Sequence, residues 1–535
     1  MKAAISDYEL AHAWGGDRMP DEVLAPRTVT DLLAAHSATH GGDPYVTIVY
    51  ERAVRTLSYA ELAALSKRLA SYLQCDLDVK PGDVLALLPA NDVDSIIAIY
   101  AALRIGCQLL FMNPGDPPTR LRAQLLALRV NTVVRSRGVT VDNFAESSEI
   151  PDPSQLADNR TPPQYRLSPG SAALLFGTSG STAASKIVAQ SHYNAIVNAY
   201  AVSQHHGLRR GDRLLGCLPF HHVNGVHFTL FSTLFAGAHA VVVNAFDPCT
   251  YFDVMERFRP KIASVVPSLL EALLDACDAR APPPELNYFV SAAAPLTART
   301  ARAVQRQFET RVMQGYGLTE TTNFSTTMPP DLSEEAFLQL VLDAESPSIG
   351  AALCGNEVAV LRPDGTPAVA GETGELCMRG HNVMLGYAQN TEATTEAFRQ
   401  GWFHSGDLGF EVVDPVCGTP HFVIVGRIKN IAKVGGESVS LEEMERALRM
   451  LPQVQDSACI CRPHRLLGDQ IIAAVVTSED MRVEQLRQHL LQNFSQVAQP
   501  KHVVKLTKIP RTLTGKIMRQ DLMVQLAALV GDCSS

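Results

Sequence analysis

The sequence runs to 535 residues, more than one hydrophobic core usually supports, so at least two domains are expected. A net charge of −9 without any basic stripe or Lys/Arg run argues against nucleic acid as a partner. Met1 to Gly16 lacks the apolar core of a signal peptide. The most apolar window, Ile96 to Met112, is short for a membrane span and contains Arg104, so it reads as a buried helix followed by a strand and no integral membrane segment is expected. Eleven cysteines are scattered, and Cys459-x-Cys461 inside an apolar strand is poor geometry for a metal. A reducing cytoplasm with mostly buried thiols is the expectation.

From Thr56 onward, helix and strand patterns alternate. Ser58-Tyr59-Ala60-Glu61 forms a capping box ahead of Leu62, Leu65, Leu69 and Leu73 at helical spacing. Val84 to Leu88 reads as a strand, Ile96 to Leu103 as a helix, Gln108 to Met112 as a strand, Asn113-Pro114-Gly115 as a turn, Leu121 to Leu128 as a helix and Thr132 to Arg135 as a strand. Such alternation implies parallel sheets covered on both faces, with ligands collecting at the carboxyl ends of strands. Thr140 to Pro169, polar and rich in proline, reads as a connector.

An apolar run, Leu174-Leu175-Phe176, then opens into Gly177-Thr178-Ser179-Gly180-Ser181-Thr182 and reaches Lys186. Glycines that let N–H groups face an anion, a cluster of hydroxyls and a lysine suit a polyphosphate. No Gly precedes Lys186, so the loop is not a Walker motif, and taken alone it suits a flexible surface loop equally well. His192 to Gln204 reads as a helix and Leu214 to Pro219 as a strand leading to Phe220-His221-His222-Val223-Asn224-Gly225. Adjacent histidines on a strand point apart, which argues against a metal there. Short strands at Ser264 to Val266 and Tyr288 to Val290 follow, the second ending in Ser291-Ala292-Ala293, small residues that admit a flat ring or simply pack tightly. Gln314-Gly315-Tyr316-Gly317-Leu318-Thr319-Glu320 offers an aromatic face, a hydroxyl and a carboxylate between glycines.

Short glycine-rich strands at Ile349-Gly350, Glu357 to Leu361, Gly374 to Arg379 and Gly386-Tyr387 suggest a smaller β unit, ending at Gly401 to Gly409, where Asp407 is either a turn residue or a ribose ligand. The last stretch, from Gly426-Arg427-Ile428-Lys429-Asn430, is long enough for a small α+β domain. Ser440-Leu441-Glu442-Glu443 reads as a second capping box, with Val439 and Met444 as its staple. Strands near Ser457 to Cys461 and Ile471 to Val476, a helix from Val483 to Leu491 and an exposed basic turn, Pro510 to Arg519, complete it.

In their order and spacing these motifs resemble the adenylate-forming superfamily of acyl-CoA synthetases, peptide-synthetase adenylation domains and luciferases, from about Pro26 to Arg519. The resemblance implies an α/β fold: a large N-terminal domain of parallel and mixed sheets with a β-rich subdomain, residues 1–426, and a small mobile α+β domain, residues 427–535, hinged near Lys429. It implies an ATP-dependent acid:CoA ligase that forms an acyl-adenylate and then a thioester, with ATP, Mg²⁺ and CoA as its small molecules. Lys516 would bridge carboxylate and phosphate, Thr319 would bond the α-phosphate and Glu320 would hold Mg²⁺. Thr178, Ser179, Gly180, Ser181, Thr182 and Lys186 would grip the outer phosphates. Tyr316 would stack on adenine beside Ala292, Ala293, Gly315 and Gly317, while Asp407 and Arg427 would hold the ribose. Lys433, Gly435 and Gly436 would come to the site for the second step, leaving a tunnel for pantetheine.

His222, Asn224, Gly225, Ala293, Gly317 and Leu318 would line or gate the acid pocket. Gly317, where relatives restricted to the smallest acids carry an aromatic, implies an open pocket and a medium-chain, aryl or polycyclic acid. Ala183, Ser185 and Ile187 depart from the usual Gly, Pro and Gly of the phosphate loop, Asn430 stands for an aspartate common after the hinge, and Ala292 replaces a glycine beside the adenine. The motifs leave open an enzyme that loads a carrier protein and a nucleotide-binding relative without turnover. A homodimer also stays open.

Overall fold

The computed structural model describes residues 6–14, 28–157, 165, 167–178, 186–276, 280–477, 482–512 and 515–530. Its contacts divide it into two compact units, one of residues 1–358, 377–404 and 415–417, the other of 359–376, 405–414 and 418–535.

The first unit carries two large sheets. One has seven strands, with a parallel core of Ala172–Gly177, Gln108–Phe111, Val84–Leu88, Thr132–Arg135 and Ser148–Glu149; Ile187–Ser191 and Gly386–Tyr387 add antiparallel to one edge. The other has nine, of which Arg311–Tyr316, Tyr288–Ser291, Ile262–Val265, Arg213–Gly216, His239–Val243 and Pro44–Val49 run parallel in that order. The expected α/β architecture with mixed sheets is present.

Local signals explain most boundaries. Ser58 and Glu61 exchange both bonds of the capping box, and helix Tyr59–Cys75 buries Leu62, Leu69 and Leu73. The apolar window is helix Val93–Ile105, in which only Val93 and Arg104 escape full burial, followed by strand Gln108–Phe111. Asp92 caps its start and Gly106, at φ +82°, ends it. The expectation of mostly buried thiols is corrected. Cys107, Cys217, Cys377 and Cys459 are buried, but Cys75, Cys249, Cys354 and Cys417 are exposed, because they sit at helix ends or in turns.

In the second unit, strands Glu437–Ser440, Ile431–Val434, Gly468–Thr477 and Val454–His464 form a sheet, with His502–Lys505 parallel to the third. The period of two sorts its residues. Ile471, Ala473, Val475 and Cys459 meet helices Leu441–Arg449 and Val483–Leu490 on one face, whereas Ile472, Ala474, Ala458 and Ile460 meet Leu522 and Leu526 of helix Arg519–Val530 on the other. Cys459 and Cys461 therefore both belong to the first face, in apolar packing. The second capping box is half formed: the Ser440 hydroxyl accepts from the Glu443 N–H at 3.3 Å, and Val439 and Met444 are buried as its staple.

Candidate active site

In the first unit, candidate residues gather where parallel strands end. Strand Ala172–Gly177 enters the hydroxyl-rich loop, and the Thr178 N–H donates to the Lys186 carbonyl at 2.9 Å, so the loop leaves and returns through one closed neck. Arg120 donates to the Thr178 carbonyl at 3.3 Å, a cation at the neck that no motif marked. Ser179, Gly180, Ser181 and Thr182 lie outside the described residues.

Lys186 is exposed, immediately before strand Ile187–Ser191. Tyr387 pairs with Val188 of that strand. Residues two apart on a strand share a face, so Lys186 and the Tyr387 ring are diagonal neighbours, and the ammonium stands 4.7 Å from the ring centroid. The Tyr387 hydroxyl donates to Glu320 Oε1 at 2.9 Å. Burial first, and the Glu320 charge second, hold that phenol well above its ordinary range, so it stays a donor at any working pH. A loop lysine and a candidate metal-binding carboxylate thus converge on one tyrosine.

Glu320 is set by its own turn. Strand Arg311–Tyr316 ends at Gly317, Leu318 is extended, and Thr319–Thr321 makes a single 3₁₀ turn. A Cβ at Gly317 would stand 1.6 Å from the Asn323 carbonyl oxygen, and one at Gly315 would meet the Phe324 ring at 2.8 Å. Gly317 is thus held first by a close backbone approach, and Tyr316 beside it is buried. Ala292 and Ala293 follow the neighbouring strand Tyr288–Ser291, with Ala293 at φ +69°.

Buried amides fix this turn from behind. Gln190 Nε2 donates to the carbonyls of Thr319 at 2.8 Å and Thr322 at 3.3 Å, and Asn382 donates to the Thr321 carbonyl at 3.0 Å. His227 Nε2 donates to Gln190 Oε1 at 2.8 Å, and burial pushes that imidazole down to about 3, so it is neutral. The Met384 N–H closes the set by donating to the Glu320 carbonyl at 2.8 Å. Gln190, His227, Asn382 and Tyr387 were not singled out by the motif reading, because their polar side chains are spread far along the chain.

The histidine pair departs from expectation. Strand Arg213–Gly216 stops three residues early and the chain turns through Phe220-His221-His222 into a π-helix, Asn224–Phe231. Off a strand, the two rings no longer point apart, and their centroids lie 4.5 Å from each other. Burial lowers His221 to about 4, leaving it neutral. Asn224 accepts from the Ser264 hydroxyl at 3.2 Å, and a Cβ at Gly225 would strike the Pro219 carbonyl at 2.6 Å.

The AMP-binding enzyme family model matches residues 33–388, and the model of the AMP-binding enzyme C-terminal domain matches 443–516. The chain belongs to the AMP-binding enzyme family. Among curated relatives, it is 28% identical to an oxalate–CoA ligase of Arabidopsis thaliana, over 87% of this chain and 92% of the relative. It is 31% identical to a sulfoacetate–CoA ligase of Cupriavidus necator, over 72% of each, and 28% identical to 4-coumarate–CoA ligase 5 of Oryza sativa, over 89% and 91%. Among solved structures, ATP-bound MatB from Rhodopseudomonas palustris superposes with a TM-score of 0.80 at 25% identity, covering 94% of this chain and all of that one. These findings bear out the adenylate-forming resemblance and the fold read from the sequence.

In the second unit of this AMP-binding enzyme, Asp407 and Arg427 face each other across an antiparallel strand pair. Arg427 Nε lies 2.6 Å from Asp407 Oδ1, and Asp407 is buried. Lys429 follows in a 3₁₀ turn, its ammonium lowered from its ordinary range by desolvation and then by the Arg427 charge. Gly435 and Gly436, at φ +59° and +90°, make the hairpin turn between Ile431–Val434 and Glu437–Ser440, and the Lys433 ammonium bonds Ser438 across it.

Lys516 is exposed on a small hairpin closed by the pairing of Arg511 with Ile517. The basic turn as a whole is less exposed than its composition suggests. Arg511 grips Asp456 through two bonds, at 3.0 and 2.7 Å, and Arg519 bridges Glu442 at 3.0 Å and Glu445 at 2.7 Å. Two arginines thus anchor the hairpin on which Lys516 is exposed.

No helix among the described residues is long and apolar enough to cross a membrane. Glu320 fits a hard divalent cation: it is a half-exposed carboxylate with one oxygen already bonded by Tyr387 and the other available as an oxygen ligand.

Proposed function

We propose that this enzyme joins a carboxylic acid to coenzyme A at the expense of ATP, through an acyl-adenylate. The observation that supports the reading is the convergence of Lys186 and Glu320 on Tyr387, which brings a cation and a carboxylate to one side chain. The chemistry requires such a pair. An acid and the α-phosphate are both anionic, so positive charge must stand where they meet. Thr178, Ser179, Gly180, Ser181, Thr182 and Lys186 take the outer phosphates, Thr319 the α-phosphate, Tyr316 with Ala292 and Gly315 the adenine, and Asp407 with Arg427 the ribose. Glu320 would hold Mg²⁺, which supplies charge neutralisation on the phosphates. Lys516 supplies the cation between acid and phosphate.

Residues 427–535 then pivot near Lys429 and bring Lys433 and the Gly435-Gly436 turn to the thioester step. CoA is the acceptor we favour, in line with relatives named as CoA ligases. The acid is medium-chain, aryl or polycyclic. The 4-coumarate–CoA ligases among the relatives are consistent with an aryl acid.

The test is pyrophosphate exchange over a panel holding oxalate, sulfoacetate, 4-coumarate, octanoate and a polycyclic acid, with products formed from free CoA or a holo carrier protein read by mass. An aryl or long acid giving a CoA thioester supports the proposal. Preference for oxalate or sulfoacetate overturns the acid assignment, thioester on the carrier alone overturns the acceptor, and no exchange with any acid overturns the reaction.

A further inference from the structure

Tyr387 touches both a loop lysine and the turn carboxylate, and no motif assigns it work. Its placement is over-determined. The preceding Gly386 sits at φ +144°, a conformation other residues rarely adopt, and a Cβ there would meet Thr394 at 2.8 Å. The Tyr387 N–H donates to the Thr394 hydroxyl at 2.9 Å, and the Ala388 N–H donates to the Ile187 carbonyl at 2.7 Å. Backbone bonds on both sides thus fix the ring against strand Ile187–Ser191. A residue that only filled space would need neither the hydroxyl's aim at Glu320 Oε1 nor the open ring face under the Lys186 ammonium.

The two contacts have different chemical consequences. A phenol donating to one carboxylate oxygen fixes the rotation of the carboxyl group and directs the second oxygen outward, so a metal ion meets a preset ligand. An ammonium over a ring face is held weakly and without a hydrogen bond, so it keeps all three donors for an anion. We propose that Tyr387 is a positioning residue that presets Glu320 for the divalent cation through its hydroxyl, and parks Lys186 for the nucleotide phosphates through its ring. The proposal rests on the adenylation reading above and adds to it a division of labour within one side chain.

Two variants separate the roles. Tyr387→Phe keeps the ring and removes the hydroxyl, and Tyr387→Leu removes both. The readout is binding, not turnover: the affinity for a non-hydrolysable ATP analogue in EDTA, and the affinity of Mn²⁺ for the enzyme–analogue complex, followed by the electron paramagnetic resonance of free Mn²⁺. Loss of a hydrogen bond to a charged group predicts Mn²⁺ binding about tenfold weaker in Tyr387→Phe, with metal-free nucleotide affinity within about twofold of wild type. In Tyr387→Leu the metal-free affinity should also fall, by about threefold, as the cation–π contact is lost. Thermal melts establish that the Phe variant is folded, and it carries the test alone if the Leu variant is not. Unchanged Mn²⁺ affinity in Tyr387→Phe overturns the proposal, as does an equal loss with and without metal, which is what a general packing role would give. If the wild type itself binds no nucleotide, the adenylation reading falls as well; a wild type that binds normally beside an unaffected Phe variant condemns the Tyr387 proposal alone.

Discussion

Glu320 and Lys516 occupy opposite kinds of support. Glu320 lies in the 3₁₀ turn that follows a parallel strand, and it is held there by Gln190, Asn382, Met384 and Tyr387 through bonds of 2.8 to 3.0 Å. Lys516 is exposed on a hairpin whose flanks are anchored by Arg511 to Asp456 and by Arg519 to Glu442 and Glu445. A buried hydrogen-bonded turn cannot change shape cheaply, whereas an exposed side chain on a rigid base can be carried as a unit. The first arrangement suits a group that must hold one geometry, and the second suits a group needed for one step of two.

The largest effect should come from the exposed partner. Lys516→Ala should lower pyrophosphate exchange by about a thousandfold, the scale of a lost charge-stabilising donor, with an unchanged melting temperature because the side chain is exposed. Exchange within tenfold of wild type would remove Lys516 from the reaction. The converse holds on the rigid side. Gly317→Ala should destabilise the fold by about 3 kcal/mol in urea unfolding, since the added methyl meets a backbone carbonyl that has no room to move. Gly436→Ala, where a Cβ meets nothing within 4 Å but φ is +90°, should cost only about 1 kcal/mol. Equal costs would mean that the Asn323 carbonyl gives way and that space does not set the need for glycine at position 317.

The same contrast explains what the sequence reveals. Helix Tyr59–Cys75, strands Val84–Leu88 and Thr132–Arg135 and the Asp407 segment are legible because local chemistry, capping, periodicity or turn glycines, decides them. The ligand-facing residues are legible through contiguous motifs. Their supports are not, because Gln190, His227, Asn382 and Tyr387 come together only in the folded chain and none has a spacing that betrays the others. The turn at His221-His222 was missed for a related reason. A continuous apolar pattern cannot show that Gly216 packs against Thr229 and that the strand ends there.

At the pivot expected between these two kinds of support, Lys429→Pro should slow thioester formation about tenfold while leaving adenylation within about threefold, since a restricted φ limits a rotation more than a resting shape. Stopped half-reactions, pyrophosphate exchange for the first and CoA consumption by preformed adenylate for the second, separate the two. Equal losses would place the pivot elsewhere.

The smallest effect tests the rigidity of the Glu320 turn from its deepest member. His227 is fully buried, and burial holds it at about 3 against an ordinary 6.5. The unfolded chain therefore binds a proton here between pH 6.5 and 3 that the folded chain refuses. Stability is fully present above 6.5 and declines as the pH falls through that window, with one proton contributing a slope of about 1.4 kcal/mol per pH unit. His192, His221 and His239, each lowered to about 4 chiefly by burial, act in the same direction, so the wild-type slope should be steep. His227→Gln retains a donor for Gln190 but has no proton to gain, so its unfolding free energy between pH 6 and 5 should fall less steeply by about that amount, with pyrophosphate exchange at pH 7.5 within threefold of wild type. An unaltered slope would show that His227 titrates alike in both states and that the network behind Glu320 is open to water.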